Sequence, residues 1–188
     1  MGGLEGDFYK GPLRASEPPP LEQGIRLHRS IDAFTDSHAL VTGLRRQFPE
    51  EVRRYSGVLI DLGFDHFLSL HWSNYHSQSL SEFNAAVYAV LHQQQKQLSP
   101  AAALLAGRIL EYDLLGAYHD WRAVPASARR IGERFKRGNP FLDVEPQLTS
   151  LMPQLETAFL EFYPNLVEFV AQCKNNHNPA ESNPIDAY

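Results

Sequence analysis

Two stretches constrain this chain more than any others. Ile25–Asp36 and Leu59–Trp72 are largely apolar with helical spacing, yet the first carries His28, Asp32 and Asp36 and the second Asp61, Asp65, His66 and His71. His28 and Asp32 are four residues apart, as are Asp32 and Asp36, and Asp61 and Asp65. Residues at that spacing share a helix face. Aspartate is a poor residue for a helix interior and is costly to bury unpaired. A fold that turns these faces inward needs something positive against them, either a divalent metal ion or buried arginines.

The rest of the sequence also reads as helix. The spacing predicts helices over Leu21–His38, Val41–Phe48 and Glu50–Trp72, with Pro49 as the interruption. The segment Glu50–Trp72 is apolar almost all round and is expected at the centre. Ser81 reads as the cap of a helix Glu82–Gln97, and Ser99-Pro100 opens a helix that runs to Tyr112. Leu114–Arg122, the basic stretch Pro125–Arg137 and Gln147–Cys173 follow, the last with Pro153 near its start and Pro164 as a kink or break. Asp7 to Gly11 reads as a helix end or turn, and Arg14–Pro20 as a loop. No segment alternates as a strand would. The expectation is an all-α fold, a single compact helical domain over residues 1–174, followed by a polar, disordered tail over 175–188.

Composition narrows the class. At 188 residues with 43% hydrophobic and 21% charged residues, the chain is an ordinary globular domain. No apolar run approaches the ~20 residues of a membrane span, and no secretory signal is visible at the N-terminus. The single cysteine, Cys173, allows no internal disulfide, which fits a reducing cytoplasm. A net charge of −5 argues against a general nucleic-acid binder. The expected location is therefore cytoplasmic, with neither membrane nor nucleic acid as partner.

The acidic and imidazole groups admit two readings each. His28, Asp32 and Asp36 suit a metal ion or the activation of water, but the two aspartates could equally be solvated or paired with Arg26 and Arg29. Asp61, Asp65, His66 and His71 flank large apolar residues, so not all can face water; one histidine could be hydrogen-bonded in the core and one aspartate paired with an arginine. Asp7, among glycines, has the look of a turn residue. Such a carboxylate- and imidazole-rich set suits Mn²⁺, Fe²⁺, Mg²⁺ or Zn²⁺, and its lack of thiolates argues against a structural zinc. Arg45, Arg46, Arg53 and Arg54 form one basic cluster, and Arg129, Arg130, Arg134, Lys136 and Arg137 another. Either is a solvated face or a site for an acidic partner or a phosphate. There is no P-loop, GxSxG or dinucleotide fingerprint.

Several spaced motifs together carry a resemblance. Gly6-Asp7-Phe8-Tyr9-Lys10-Gly11, His28-Arg29-Ser30-Ile31-Asp32-Ala33-Phe34-Thr35-Asp36, Asp61-Leu62-Gly63-Phe64-Asp65-His66-Phe67-Leu68 with His71-Trp72, and the late Phe159-Leu160-Glu161-Phe162-Tyr163-Pro164 resemble the acyl carrier protein phosphodiesterase family, also called acyl carrier protein hydrolase. The similarity runs in order from Gly2 to Ala171. It implies removal of the 4′-phosphopantetheine arm from holo acyl carrier protein, giving apo carrier and 4′-phosphopantetheine. It also implies a divalent metal, Mn²⁺ being favoured, and a helical bundle related to the HD-type phosphohydrolases. Members begin with a segment of the type Met-Asn-aromatic-Leu-Ala-His, and the sequence as given starts after it. The adjacent His-Asp pair of HD enzymes is absent; Ile60-Asp61 and the reversed Asp65-His66 stand nearest.

On this resemblance, Asp7, His28, Asp32, Asp61 and Asp65, or a subset, are the implied metal ligands. His28, Asp65 and His66 are the implied catalytic residues, with His66 as a further ligand or as general acid to the departing serine oxygen. Arg29 is expected to hold the phosphate. Arg45, Arg46, Arg53 and Arg54, or the later basic cluster, are expected to dock the acidic carrier. Phe34, Phe64, Phe67 and Trp72 are candidate walls for the thiol-bearing arm. Two other readings stand beside this one: an HD-like phosphohydrolase acting on a nucleotide, and a non-catalytic binder of acyl carrier protein.

Overall fold

The core of this fold is built around its fifth helix, α5 (Ser56–Leu70), most of whose residues are buried. Leu59, Ile60, Leu62, Phe64 and Phe67 are all buried in it. A helix this apolar outside the face that carries Asp61 and Asp65 must be covered on its other sides, and α5 packs against α3 (Ala39–Arg45), α9 (Ala123–Gly132) and the long C-terminal α10 (Glu145–His177). From α10, Leu148, Leu155, Phe159 and Phe162 enter the same cluster, joined by Phe48 and Phe141 from connecting segments. The remaining helices are α1 (Gly2–Gly6), α2 (Pro19–Ser37), α4 (Glu50–Arg53), α6 (Leu80–Gln94), α7 (Pro100–Glu111) and α8 (Leu114–Ala117). Short 3-10 turns cover Trp72–Asn74 and Gln95–Gln97. This computed structural model describes residues 1–13 and 18–177, and no strand occurs among them. The all-α expectation holds.

The boundaries differ from expectation where local chemistry overrides periodicity. The segment Glu50–Trp72 is two helices, because Arg54 and Tyr55 turn the chain between α4 and α5. The cap of α6 is Ser79, not Ser81: its hydroxyl accepts from the Glu82 N–H while the Glu82 carboxylate accepts from the Ser79 N–H, a reciprocal capping box. Proline at the first positions lets α2 start at Pro19, inside the stretch read as a loop; residues 14–17 lie outside the described residues. Leu114–Arg122 yields only the four-residue α8, entered through Asp113 at a left-handed φ of 45°. The basic helix stops at Gly132, leaving Arg134, Lys136 and Arg137 in a turn that closes at Gly138 with φ 97°.

Pro164 does not break α10, which runs continuously from Glu145 to His177. Pro153 and Pro164 both face solvent, so the carbonyls they leave without an N–H partner can be hydrated. Helix therefore extends past Cys173 into the stretch read as a tail, and residues 178–188 of that tail lie outside the described residues.

Candidate active site

The site is assembled on α2 and α5, with α1 brought alongside. Asp7 caps the C-terminus of α1, and its Oδ1 lies 3.2 Å from His28 Nε2; Asp32 Oδ2, one turn along α2, lies 3.2 Å from the same nitrogen. The next turn carries Asp36, which pairs with the Arg45 guanidinium from the end of α3. From α5, Asp61 and Asp65 face the same space. A cleft of about 490 Å³ is lined by Asp7, Asp32, Asp36, Asp61 and Asp65, with Phe64 and Phe162 among its apolar walls. The i, i+4 spacing in both helices is what places all these carboxyls on one side.

Three contacts hold Asp7 there. A Cβ on Gly6 would fall inside the His28 ring, so glycine is what allows α1 to lie against that histidine. The nearly buried Glu5 accepts from both the N–H (2.6 Å) and the hydroxyl (2.9 Å) of Ser99 at the start of α7, where the helix dipole favours a carboxylate. Arg29 Nη2 donates to the Tyr9 carbonyl at 2.8 Å, fixing the chain just beyond Asp7. Glu5 carried no sequence signal, since nothing in the sequence pairs it with a serine so far along the chain.

So many carboxyls in one place do not ionise freely. Burial pushes Asp65 up to about 7, with Asp61 one turn away adding to the rise. Asp61 rises to about 6, first through burial and then through Asp36 and Asp32, against the opposing pull of Arg45. Asp32 is also raised, by burial first, although His28 draws it down. Water reaches both α5 carboxyls through the mouth of the cleft, while protein surrounds them on the remaining sides and removes part of their hydration. A carboxyl whose folded pKa is raised stabilises the fold below its unfolded pKa near 3.8, and that stability is lost as pH rises through 6 to 7. With a chelator present, the thermal midpoint is expected to fall by a few degrees between pH 5 and 8, because solvent screening holds the cost to the order of 1 kcal/mol. Melts across that range with and without Mn²⁺ check it; a midpoint that climbs with pH would contradict it.

His66 is not in this cleft. It turns to the other side of α5, where its Nδ1–H donates to the Tyr118 carbonyl at 2.8 Å and its ring packs edge-on against Trp121. Burial lowers its pKa, so it is a neutral core histidine rather than an acid or ligand at the cleft. His71 also points away, to Glu156 at 2.8 Å. Arg29 is engaged with Tyr9, as described, rather than facing the cleft. Arg45 is drawn to the cleft rim by Asp36, while Arg46, Arg53 and Arg54 are exposed on the surface. Of the four expected arm-channel residues, Phe64 alone lines the cleft. Phe67 is core, Phe34 stacks on Phe169, and Trp72 packs against Phe83.

Among the described residues, no group of three or more His, Cys, Asp or Glu side chains is placed so as to hold a metal ion. The donor chemistry is nevertheless of one kind, an imidazole and several carboxylates without a thiolate, and its crowded negative charge is the environment a hard divalent cation relieves.

A sequence family described as acyl carrier protein phosphodiesterase matches residues 1–166. Proteins named acyl carrier protein phosphodiesterase are similar over most of their length. That of Escherichia coli O45:K1 is 30% identical over 168 residues, covering 89% of this chain and 87% of its own. That of Escherichia coli O6:H1 is 31% identical over 172 residues, covering 89% and 87%. The Shigella boydii serotype 18 protein is 30% identical over 167 residues, covering 88% and 86%. No solved structure matches the chain.

Proposed function

We infer the reaction from one premise: the chain belongs to the acyl carrier protein phosphodiesterase family. We propose that it hydrolyses holo acyl carrier protein to apo carrier and 4′-phosphopantetheine with the help of a divalent metal ion, Mn²⁺ being the first candidate. The observation that carries this reading is the convergence of Asp7, Asp32, Asp61 and Asp65 on one cleft, with His28 behind it in contact with both Asp7 and Asp32.

The residues fit such an ion by chemistry and charge, and Asp7, His28, Asp32, Asp61 and Asp65 are those that would hold it. When bound, it would neutralise a phosphoryl oxygen and lower the pKa of a water. The chain's own groups supply the rest. Where Asp65 is left out of the ligand set, its carboxyl, raised to about 7 in the ion-free protein, is suited to exchange a proton near neutral pH, taking one from the attacking water or giving one to the departing serine oxygen. The water oxygen adds to phosphorus, the bond from phosphorus to the serine oxygen breaks, and that oxygen leaves as a hydroxyl. Arg45, paired with Asp36 and close enough to oppose the rise of the Asp61 pKa, adds positive charge beside the cleft. The exposed Arg46, Arg53 and Arg54 remain the proposed docking contacts for the acidic carrier, and such contacts weaken with salt.

Mass spectrometry of holo carrier incubated with this protein tests the proposal. Loss of the ~340 Da arm with Mn²⁺ and not with chelator is the expected result. A stable complex without loss would replace the enzyme with a carrier-binding protein. Turnover of nucleotides in preference to holo carrier would move it to another substrate class.

A further inference from the structure

A second cavity, of about 660 Å³, adjoins the carboxylate cleft, and Asp7 lines both. Its volume is in the size class of small-molecule sites, about 300–1,000 Å³. Its walls are of two kinds. Val58 from α5, Leu105 from α7 and Ile131 from α9 provide apolar surface, and Arg108, Arg130 and Arg134 stand exposed around them. Among the described residues none of these three arginines is in an ion pair. Arg130 lies 6.0 Å from the Tyr112 ring, which holds its guanidinium at the wall. Glu133 also lines the cavity and leaves the arginines in excess by charge.

This arrangement addresses a problem the carboxylate cleft cannot solve alone. The cleft carries an excess of carboxyls, with Asp36 alone paired to an arginine, and this disfavours an anionic substrate; hydrolysis makes the repulsion worse, since a phosphodiester with one charge becomes a phosphomonoester approaching two. Guanidinium groups are the side chains best matched to a phosphate, and here they rim the space next to Asp7. The apolar walls match a linear arm of methylene and amide units better than a carrier-protein surface.

We propose that this second cavity is the arm subsite, in which Val58, Leu105 and Ile131 hold the pantetheine chain and Arg108, Arg130 and Arg134 hold its phosphate as it leaves Asp7. The proposal rests on the function proposed above and replaces the aromatic channel expected from sequence. It also separates the two basic clusters: Arg130 and Arg134 serve the arm, whereas Arg46, Arg53 and Arg54 lie outside this cavity.

The test is calorimetric binding of free 4′-phosphopantetheine, pantetheine, AMP and inorganic phosphate to the full chain, with kinetics on holo carrier run in parallel. 4′-Phosphopantetheine is expected to bind at least 10-fold more tightly than each of the other three. Arg108→Gln combined with Arg130→Gln is expected to weaken 4′-phosphopantetheine at least 10-fold while leaving pantetheine unchanged. Leu105→Asp, on the apolar wall, is expected to weaken both, and circular dichroism confirms that each variant is folded. Equal affinity for 4′-phosphopantetheine and AMP, or affinity indifferent to the arginine substitutions, overturns the assignment. Arginine-dependent binding without turnover of holo carrier would support the subsite and remove the proposed reaction; turnover with arginine-independent binding would do the reverse.

Discussion

Asp65→Asn is expected to lower turnover of holo carrier by at least ~100-fold and, in the same molecule, to raise the thermal midpoint of chelator-treated protein at pH 8. The two effects have one cause. Asp65 stands one turn from Asp61 on α5, and burial together with that neighbour holds its pKa up at about 7. At pH 8 the folded protein must keep both carboxylates ionised in a space that hydrates neither fully. An amide has nearly the same shape and no charge, so it relieves the repulsion and abolishes the proton exchange and any cation binding that depended on the carboxylate. At pH 5, where Asp65 is already protonated in the fold, the stabilising effect should vanish. Asp36→Asn provides the contrast. Its carboxylate is paired with Arg45, so the amide leaves that guanidinium unmatched and should not stabilise at any pH. A variant at position 65 that melts below the parent at pH 8, or that retains activity, would show that the carboxyl is neither strained nor catalytic.

The central role of Ser56–Leu70 and the sharing of a face by Asp61 and Asp65 were legible because both depend on local spacing. An all-round apolar pattern demands a central helix, and i, i+4 carboxyls must lie on one side of it. His66 lies away from the cleft for the complementary reason. Position 66 follows 65 by a single residue, about 100° round the helix, and the cleft takes Asp65 with its neighbour on the other side, Phe64. His66 is held away by Tyr118, whose carbonyl accepts the imidazole proton from 52 residues away. The basic clusters carried the same ambiguity: sequence groups Arg45 with Arg46, but the structure ties the first to Asp36 and leaves the second in water. Arg108, isolated in sequence, joins Arg130 and Arg134 only because α7 and α9 flank one cavity. Residues that meet across the bundle leave no periodic trace in the chain.

Gly24→Val is expected to reduce kcat/KM on holo carrier by about 100-fold without lowering helical content by circular dichroism, although Gly24 touches neither cleft nor second cavity. Glycine inside a helix costs about 1 kcal/mol relative to alanine, so its presence in the middle of α2 calls for a reason. A Cβ at Gly24 would sit 2.7 Å from the Gly2 Cα, and one at Gly2 would sit 2.5 Å from the Gly24 Cα, so the two backbones are in direct contact. Four residues further along each helix, Gly6 lies against the His28 side chain. The α1 and α2 backbones therefore run side by side in fixed register, and that register is what puts Asp7 against His28. A side chain at position 24 must push α1 away, and Asp7 moves with it while Asp32, Asp61 and Asp65 stay. Gly24→Ala sharpens the test, because without this contact the substitution would stabilise α2; here it should destabilise or detach α1. Gly3→Ala is the matched control, on the face of α1 where an added Cβ meets nothing within 4 Å. It should leave activity intact and stability equal or higher. Full activity in Gly24→Val would mean that Asp7 does not need its place beside His28, and the ligand set would shrink to the residues of α2 and α5.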